Sequence, residues 1–164
     1  MDLKFTADEV FAMAQRIEIN GANYYRKAAS NADDDGIRAM FDDLAGMEND
    51  HLKTFTEMKN DIPGDEKNSN VYDPYGESGD FLRTMANEHV FNVSEDASRK
   101  LAGNEPLESI LKHAIQMEKD SIVFYLGMKT AVSSAKGKDR IDDIIEEEFG
   151  HIATLSDKLR SLTS

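Results

Sequence analysis

The phrase "MENDHLKTF" at residues 47–55 returns as "EEFGHIATL" at residues 147–155, and each places a Glu three residues before a His. The pairs are Glu48 with His51 and Glu148 with His151. The match is not local. At a constant offset of 100 positions, Ala14 meets Ala114, Glu18 meets Glu118, Tyr25 meets Tyr125, Asp42 and Asp43 meet Asp142 and Asp143, and Thr54 meets Thr154, with no insertion between them. The chain reads as two copies of one unit, and its fold has to accommodate both.

Apolar residues recur at three and four positions in four long segments, and almost nothing alternates with the period of two that strands require. An all-α chain is predicted. The first helix opens at a capping box, Thr6 with Glu9, carries Val10, Ala14, Ile17, Gly21, Tyr25 and Ala28 on one stripe, and stops near "SNADDDG". The second runs from about Ile37 to Lys59, with Met40, Phe41, Leu44, Met47, Leu52, Phe55 and Met58 facing inward, and ends at "DIPG". The third opens at "NEPLES", with Asn104 able to cap and Pro106 in the first turn, and continues to Met128. The fourth follows "SSAKGKD", with Ile141, Ile144, Ile145, Ile152, Leu155, Leu159 and Leu162 on its stripe. Short links make each pair an antiparallel hairpin, so the repeat is a duplicated helical hairpin.

The connection between the hairpins, about residues 60–104, is far longer than the roughly two to eight residues that join neighbouring bundle helices. Helices of about 22 residues span roughly 33 Å, and a link of this length can run the whole bundle. It includes a shorter helical segment, "DFLRTMANEHVF". The predicted architecture is a single domain over residues 1–164, a four-helix bundle with one long crossover containing a short helix.

Ionisable residues interrupt these apolar stripes. Glu48 and His51 lie between Leu44 and Leu52, Glu148 and His151 among Ile145, Ile152 and Leu155, and Glu18 and Glu118 follow Ile17 and Met117. Four glutamates and two histidines thus point at one interior. An unpaired buried carboxylate costs several kcal/mol, and four together repel, so positive charge must balance them. Two divalent cations supply four positive charges against four negative ones, and neutral imidazoles complete the set. Residues three apart on a helix project to one side and can share an ion. A Glu from each of two helices plus Glu-x-x-His from each of the other two is the established pattern of di-iron and di-manganese carboxylate bundles. Tyr25 and Tyr125, two turns beyond Glu18 and Glu118, either bond to a ligand carboxylate or simply pack. His89 and His113 have no such partners and read as surface or packing residues, and the methionines read as core fillers.

The 164 residues contain no cysteine, which excludes disulfides, thiolate metal sites and a catalytic thiol within this polypeptide. A net charge of -13 opposes binding to nucleic-acid backbones and reads as a solubility device, or as a means of concentrating cations. No apolar run approaches the roughly 20 residues that span a bilayer. A soluble, cytoplasmic protein with neither a nucleic-acid nor a membrane partner is expected.

At these residues the chain resembles the ferritin-like superfamily, and within it the rubrerythrin-like branch. The resemblance is carried by "AQRIEINGANYYRKAA", "FDDLAGMENDHLKTF", "LRTMANEHVF", "AIQMEKDSIVFYLGMK" and "IDDIIEEEFGHIATL". It implies a non-haem di-iron centre that reacts with hydrogen peroxide or dioxygen, with manganese or zinc as substitute metals. By position the ligands are Glu18, Glu48, His51, Glu118, Glu148 and His151, with Glu18 and Glu118 on one metal each and Glu48 and Glu148 bridging. Rubrerythrins proper carry a rubredoxin domain whose four cysteines bind an iron; this chain has none, so electrons are expected from a separate donor protein. They also add a Glu one turn after the third-helix ligand, where this chain has Ser121, with Gly21 at the equivalent place in the first helix. The remaining six-ligand set looks more like the ferroxidase centre of bacterioferritins. The small residues at Gly21 and Ser121 either leave coordination positions open or allow close helix packing.

The resulting expectation is an oxidoreductase that reduces peroxide, or dioxygen, at a di-iron centre, in a homodimer. The alternatives are a ferroxidase that handles iron and a helical interaction module without catalysis.

Overall fold

In the computed structural model the described residues are 5–67, 71, 77, 80–82, 84, 98 and 101–163. Four long helices hold the fold. They are α1 (Ala7–Asn31), α2 (Asp35–Asn60), α4 (Leu107–Met128) and α5 (Ala135–Leu162), with one short turn, α3 (Gly64–Lys67), after α2. Among the described residues there is no strand, as the periodicity requires.

Capping chemistry sets where the helices begin. Thr6 and Glu9 form the predicted capping box on α1. The Asp34 carboxylate accepts from the Ile37 N–H at 2.8 Å, and the Ser134 hydroxyl accepts from the Gly137 N–H at 3.0 Å. These caps start α2 two residues before Ile37, and start α5 within "SSAKGKD" rather than after it. The starts Asp35 and Ala135 keep the offset of 100. Asn104 does not cap α4. Pro106 occupies the cap position and its carbonyl accepts from the Ser109 and Ile110 N–H groups, while Glu105 ties back the N–H groups of Ala102 and Gly103.

Packing pairs α1 along α2 and α4 along α5, with α1 facing α4 and α2 facing α5. Two apolar clusters fill the interior. One is built around Phe11, Phe55, Tyr125, Met128 and Ile141, the other around Tyr25, Phe41, Leu44, Leu111 and Leu155. Each long helix passes from one cluster to the other, α1 and α5 in one sense, α2 and α4 in the opposite sense. The end of α2 and the start of α4 therefore lie at opposite ends of the bundle, and the residues between them cross its length. The crossover is pinned at two described points. The Val71 N–H donates to the Phe5 carbonyl at 3.0 Å, and the Phe81 ring lies so close to α4 that a Cβ at Gly127 would stand 2.8 Å from its Cδ1. Residues 80–82 and 84 are helical, within the predicted short segment. The rest of that segment, His89 included, lies outside the described residues.

Two residues assigned to apolar stripes turn outward. Met47 is 44% exposed because it leads the turn whose inner position belongs to Glu48, and Leu162 is 43% exposed at the last residue of α5, past the apolar clusters. Met58 and Met128 are buried, as core fillers should be.

Candidate metal centre

Between the two apolar clusters every long helix contributes something ionisable. Glu18 comes from α1, Glu48 and His51 from α2, Glu118 from α4, and Glu148 and His151 from α5, each at most 3% exposed. All six converge. Helix geometry brings Glu48 beside His51 and Glu148 beside His151 on one side of a turn; antiparallel packing then sets the two pairs face to face, with the imidazole rings stacked at 5.5 Å.

Each histidine turns Nδ1 inward. His51 Nδ1 lies 3.5 Å from Glu18 and 3.2 Å from Glu148, and His151 Nδ1 lies 3.2 Å from Glu48, 3.4 Å from Glu118 and 2.8 Å from Glu148. Two overlapping quartets result. Glu18, Glu48, His51 and Glu148 offer ligand atoms within 4.8 Å of one another, and so do Glu48, Glu118, Glu148 and His151. Glu48 and Glu148 belong to both.

These close approaches are not directed hydrogen bonds. Glu18 Oε2, Glu48 Oε1, both Glu148 oxygens and Nδ1 of both histidines are buried with no hydrogen-bond partner. Proteins leave few buried polar atoms unsatisfied, since each costs about 1–3 kcal/mol. Apart from Asn31 Nδ2 at the end of α1, every such atom among the described residues is of metal-ligating type and belongs to this cluster. The donor set, carboxylate oxygen with imidazole nitrogen, suits iron, manganese or zinc.

Electrostatics among the protein groups follow from burial and crowding. Burial, then repulsion from Glu48, holds Glu18 well above the usual carboxylate range. Burial, then the charge of Glu148, pushes Glu48 up to about 7 and Glu118 up to about 8. For the histidines burial favours the neutral form, but it is outweighed by carboxylate neighbours. Glu148 and Glu18 raise His51 to about 11, and Glu118, Glu148 and Glu48 raise His151 to about 12. Burial also opposes charge on Glu148, yet the imidazoles of His151 and His51 close beside it draw it down to about 2. The cluster thus concentrates anionic charge where both quartets meet and calls for cations on either side of it.

The tyrosines reach across the bundle rather than along their own helices. The Tyr25 hydroxyl donates to Glu118 Oε1, and the Tyr125 hydroxyl donates to Glu18 Oε1. Both roles the sequence left open are displayed at once, the rings packing against Phe41 and Phe55 and the hydroxyls bonding to cluster carboxylates. Gly21 does not leave open space: a Cβ there would collide with Glu48 Oε2 and lie 3.1 Å from its Cδ, so the missing side chain makes room for the Glu48 carboxylate. The Ser121 hydroxyl turns away and donates to the Met117 carbonyl of its own helix at 2.9 Å. His113 stands outside the cluster, exposed, with its ring 5.3 Å from Tyr24.

Two residues at the rim were not singled out from sequence. His51 Nε2 lies 2.9 Å from the Glu147 carboxylate, and His151 Nε2 lies 3.1 Å from the Met47 sulfur. Nothing in the sequence sets them apart, since positions 47 and 147 differ but so does every position of the repeated phrase outside the shared Glu, His and Thr.

The rubrerythrin family model matches residues 9–159, which takes in nearly all of the four long helices and every residue of the cluster. The chain belongs to the rubrerythrin family. Among solved structures this rubrerythrin-family chain is similar to a ferritin-like diiron-carboxylate protein from Thermotoga maritima, with a TM-score of 0.76, 24% identity and 96% of each chain covered. That likeness establishes the ferritin-like helical bundle. No curated protein matches. No helix among the described residues is long and apolar enough to cross a membrane.

Proposed function

We propose that this rubrerythrin-family protein binds two iron ions and reduces hydrogen peroxide with electrons from a separate donor protein. Glu18, His51, Glu48 and Glu148 would hold one ion, and Glu118 and His151 with Glu48 and Glu148 would hold the other. The sharing carries the reading: two quartets with Glu48 and Glu148 in common describe two adjacent cation positions, not one. Family membership favours iron, and manganese or zinc fit the same donors.

When bound, the iron pair supplies the two electrons by which peroxide and two protons become two waters. The chain's own part is charge, orientation and exclusion of water. Four glutamates offset the charge of two divalent ions, and the Nδ1 atoms of His51 and His151 face the cluster as neutral donors once a cation replaces the proton. Tyr25 and Tyr125 fix Glu118 and Glu18 by hydrogen bonds. Burial beside the carboxylates keeps both phenols well above their usual range, so they remain donors at physiological pH. The apolar clusters on either side close the site against bulk solvent. The 164 residues contain no cysteine, so in this proposal the electrons enter from a thiolate-bound iron or other carrier outside them.

Stopped-flow oxidation of the anaerobically reduced, iron-loaded protein tests the proposal. Peroxide should oxidise it faster than dioxygen; the reverse preference would instead favour a ferroxidase.

A further inference from the structure

Each half-site draws on the same kinds of inner donor, one Glu and one His of its own with the shared Glu48 and Glu148, but the outer supports of the two histidines differ in kind. His51 and His151 both present Nδ1 to the carboxylates, so each carries its ring proton on Nε2 when Nδ1 binds a cation. On the His51 side Nε2 meets a carboxylate oxygen of Glu147 from α5 at 2.9 Å. On the His151 side Nε2 meets the thioether of Met47 from α2 at 3.1 Å. The two acceptors occupy equivalent positions of the repeat, 47 and 147, and differ in kind. A carboxylate is a strong anionic acceptor that orients the ring and raises its basicity as a ligand, whereas a thioether sulfur is a weak one.

The surroundings follow the same division. Glu147 borders a cleft of about 220 Å³ beside His51 with Asp50, Asp143 and Arg140. At the equivalent positions of the other half stand Met47, Gly150, Asp43 and Met40.

The geometry points to two inequivalent metal positions: the Glu147–His51 pair makes the half-site with Glu18 the tighter one, and Met47 leaves the half-site with Glu118 the weaker. Glu147 and Met47 act through the histidines as positioning residues, touching no metal themselves. Outer partners of ligating histidines change metal affinity by about 10–100-fold. Because the Glu147 side chain is 60% exposed, a difference near the lower end, about tenfold, is expected.

This inference rests on the proposed two-metal site, and one experiment separates the two. Apo-protein with 15N-labelled histidine is titrated with Zn2+ alone while the ring-nitrogen resonances of His51 and His151 are followed. At one equivalent of Zn2+ the His51 Nδ1 resonance should move to its bound position while most of the His151 signal stays in place. Glu147→Met should reduce that preference, and Met47→Glu should bring the two histidines to parallel filling. Equal filling in the unmodified protein, or a preference that neither substitution changes, overturns the inference and leaves the two-metal site standing. Failure of either histidine to respond to Zn2+ overturns both. Unfolding curves of each apo variant identify one that has lost its fold, in which case Glu147→Gln replaces Glu147→Met.

Discussion

Tyr25 on α1 donates its hydroxyl to Glu118 on α4, reaching past Glu18 of its own helix to a carboxylate of the opposite hairpin. Tyr125 returns the contact to Glu18, so the two copies of the repeat are cross-linked at the cluster. Removing either hydroxyl leaves a buried carboxylate oxygen without its donor. Tyr25→Phe and Tyr125→Phe should each lower stability by about 1–3 kcal/mol, read as a shift in denaturant midpoint with the slope unchanged.

Sharing of glutamates between the quartets predicts unequal consequences for four similar substitutions. Glu18→Gln and Glu118→Gln each affect one quartet and should reduce bound metal from about two ions per chain toward one. Glu48→Gln and Glu148→Gln affect both and should cost both ions. Metal content after dialysis against a weak chelator distinguishes the outcomes. Equal losses in all four variants would contradict the overlap.

Space at Gly21 is taken by Glu48, so Gly21→Ala should displace that carboxylate. Overpacking of this kind costs about 1–3 kcal/mol, and weaker metal binding should accompany it. Gly46 and Gly150 serve as opposite controls, because a Cβ at either meets nothing within 4 Å and both lie within helices. Alanine there should stabilise by up to about 1 kcal/mol through helix propensity. Thermal melts of the three variants check both signs.

Metal-free and metal-loaded protein should respond to pH in opposite ways. Glu48 and Glu118 rise from 4.5 to about 7 and about 8, so the stability they contribute is full below pH 4.5 and is lost as pH climbs through 7 to 8. His51 and His151, raised from 6.5 to about 11 and about 12, contribute stability that is full below pH 6.5 and drains away above it. Glu148, lowered to about 2, gives stability present above pH 4.5 and lost as pH falls toward 2. The apo-protein should therefore be most stable near pH 5 and weaken toward pH 9. The loaded protein should instead lose metal and stability on acidification, because its ligands bind deprotonated. Denaturant midpoints at pH 5, 7 and 9 with and without metal give both slopes, and Glu118→Gln should flatten the apo slope between pH 5 and 8.

Much of this was legible from spacing. Glu48 and His51 stand three apart inside an apolar stripe, and Phe41, Leu44 and Phe55 on the same stripe are buried where the periodicity put them. The residues that eluded that reading are defined by what lies across the bundle. Met47 falls on the stripe in sequence but on the rim in space, with its sulfur over a histidine of another helix. Gly21 left open a free coordination position or close packing, and a side chain from α2 fills the space. Asn104 had the right chemistry for a cap, yet α4 starts at Leu107 behind Pro106.

The sequence by itself determined four amphipathic helices, their pairing into two equivalent hairpins, and which six ionisable side chains face inward, because helical periodicity is a local property that fixes the direction of each residue. Only the tertiary structure decided which tyrosine meets which glutamate, that Glu48 occupies the room beside Gly21, and that one histidine leans on a carboxylate and the other on a thioether. The tyrosine and histidine contacts join residues about 90–110 positions apart, Gly21 and Glu48 sit on different helices, and all of these partners depend on how the helix faces settle against one another, which no single helix encodes.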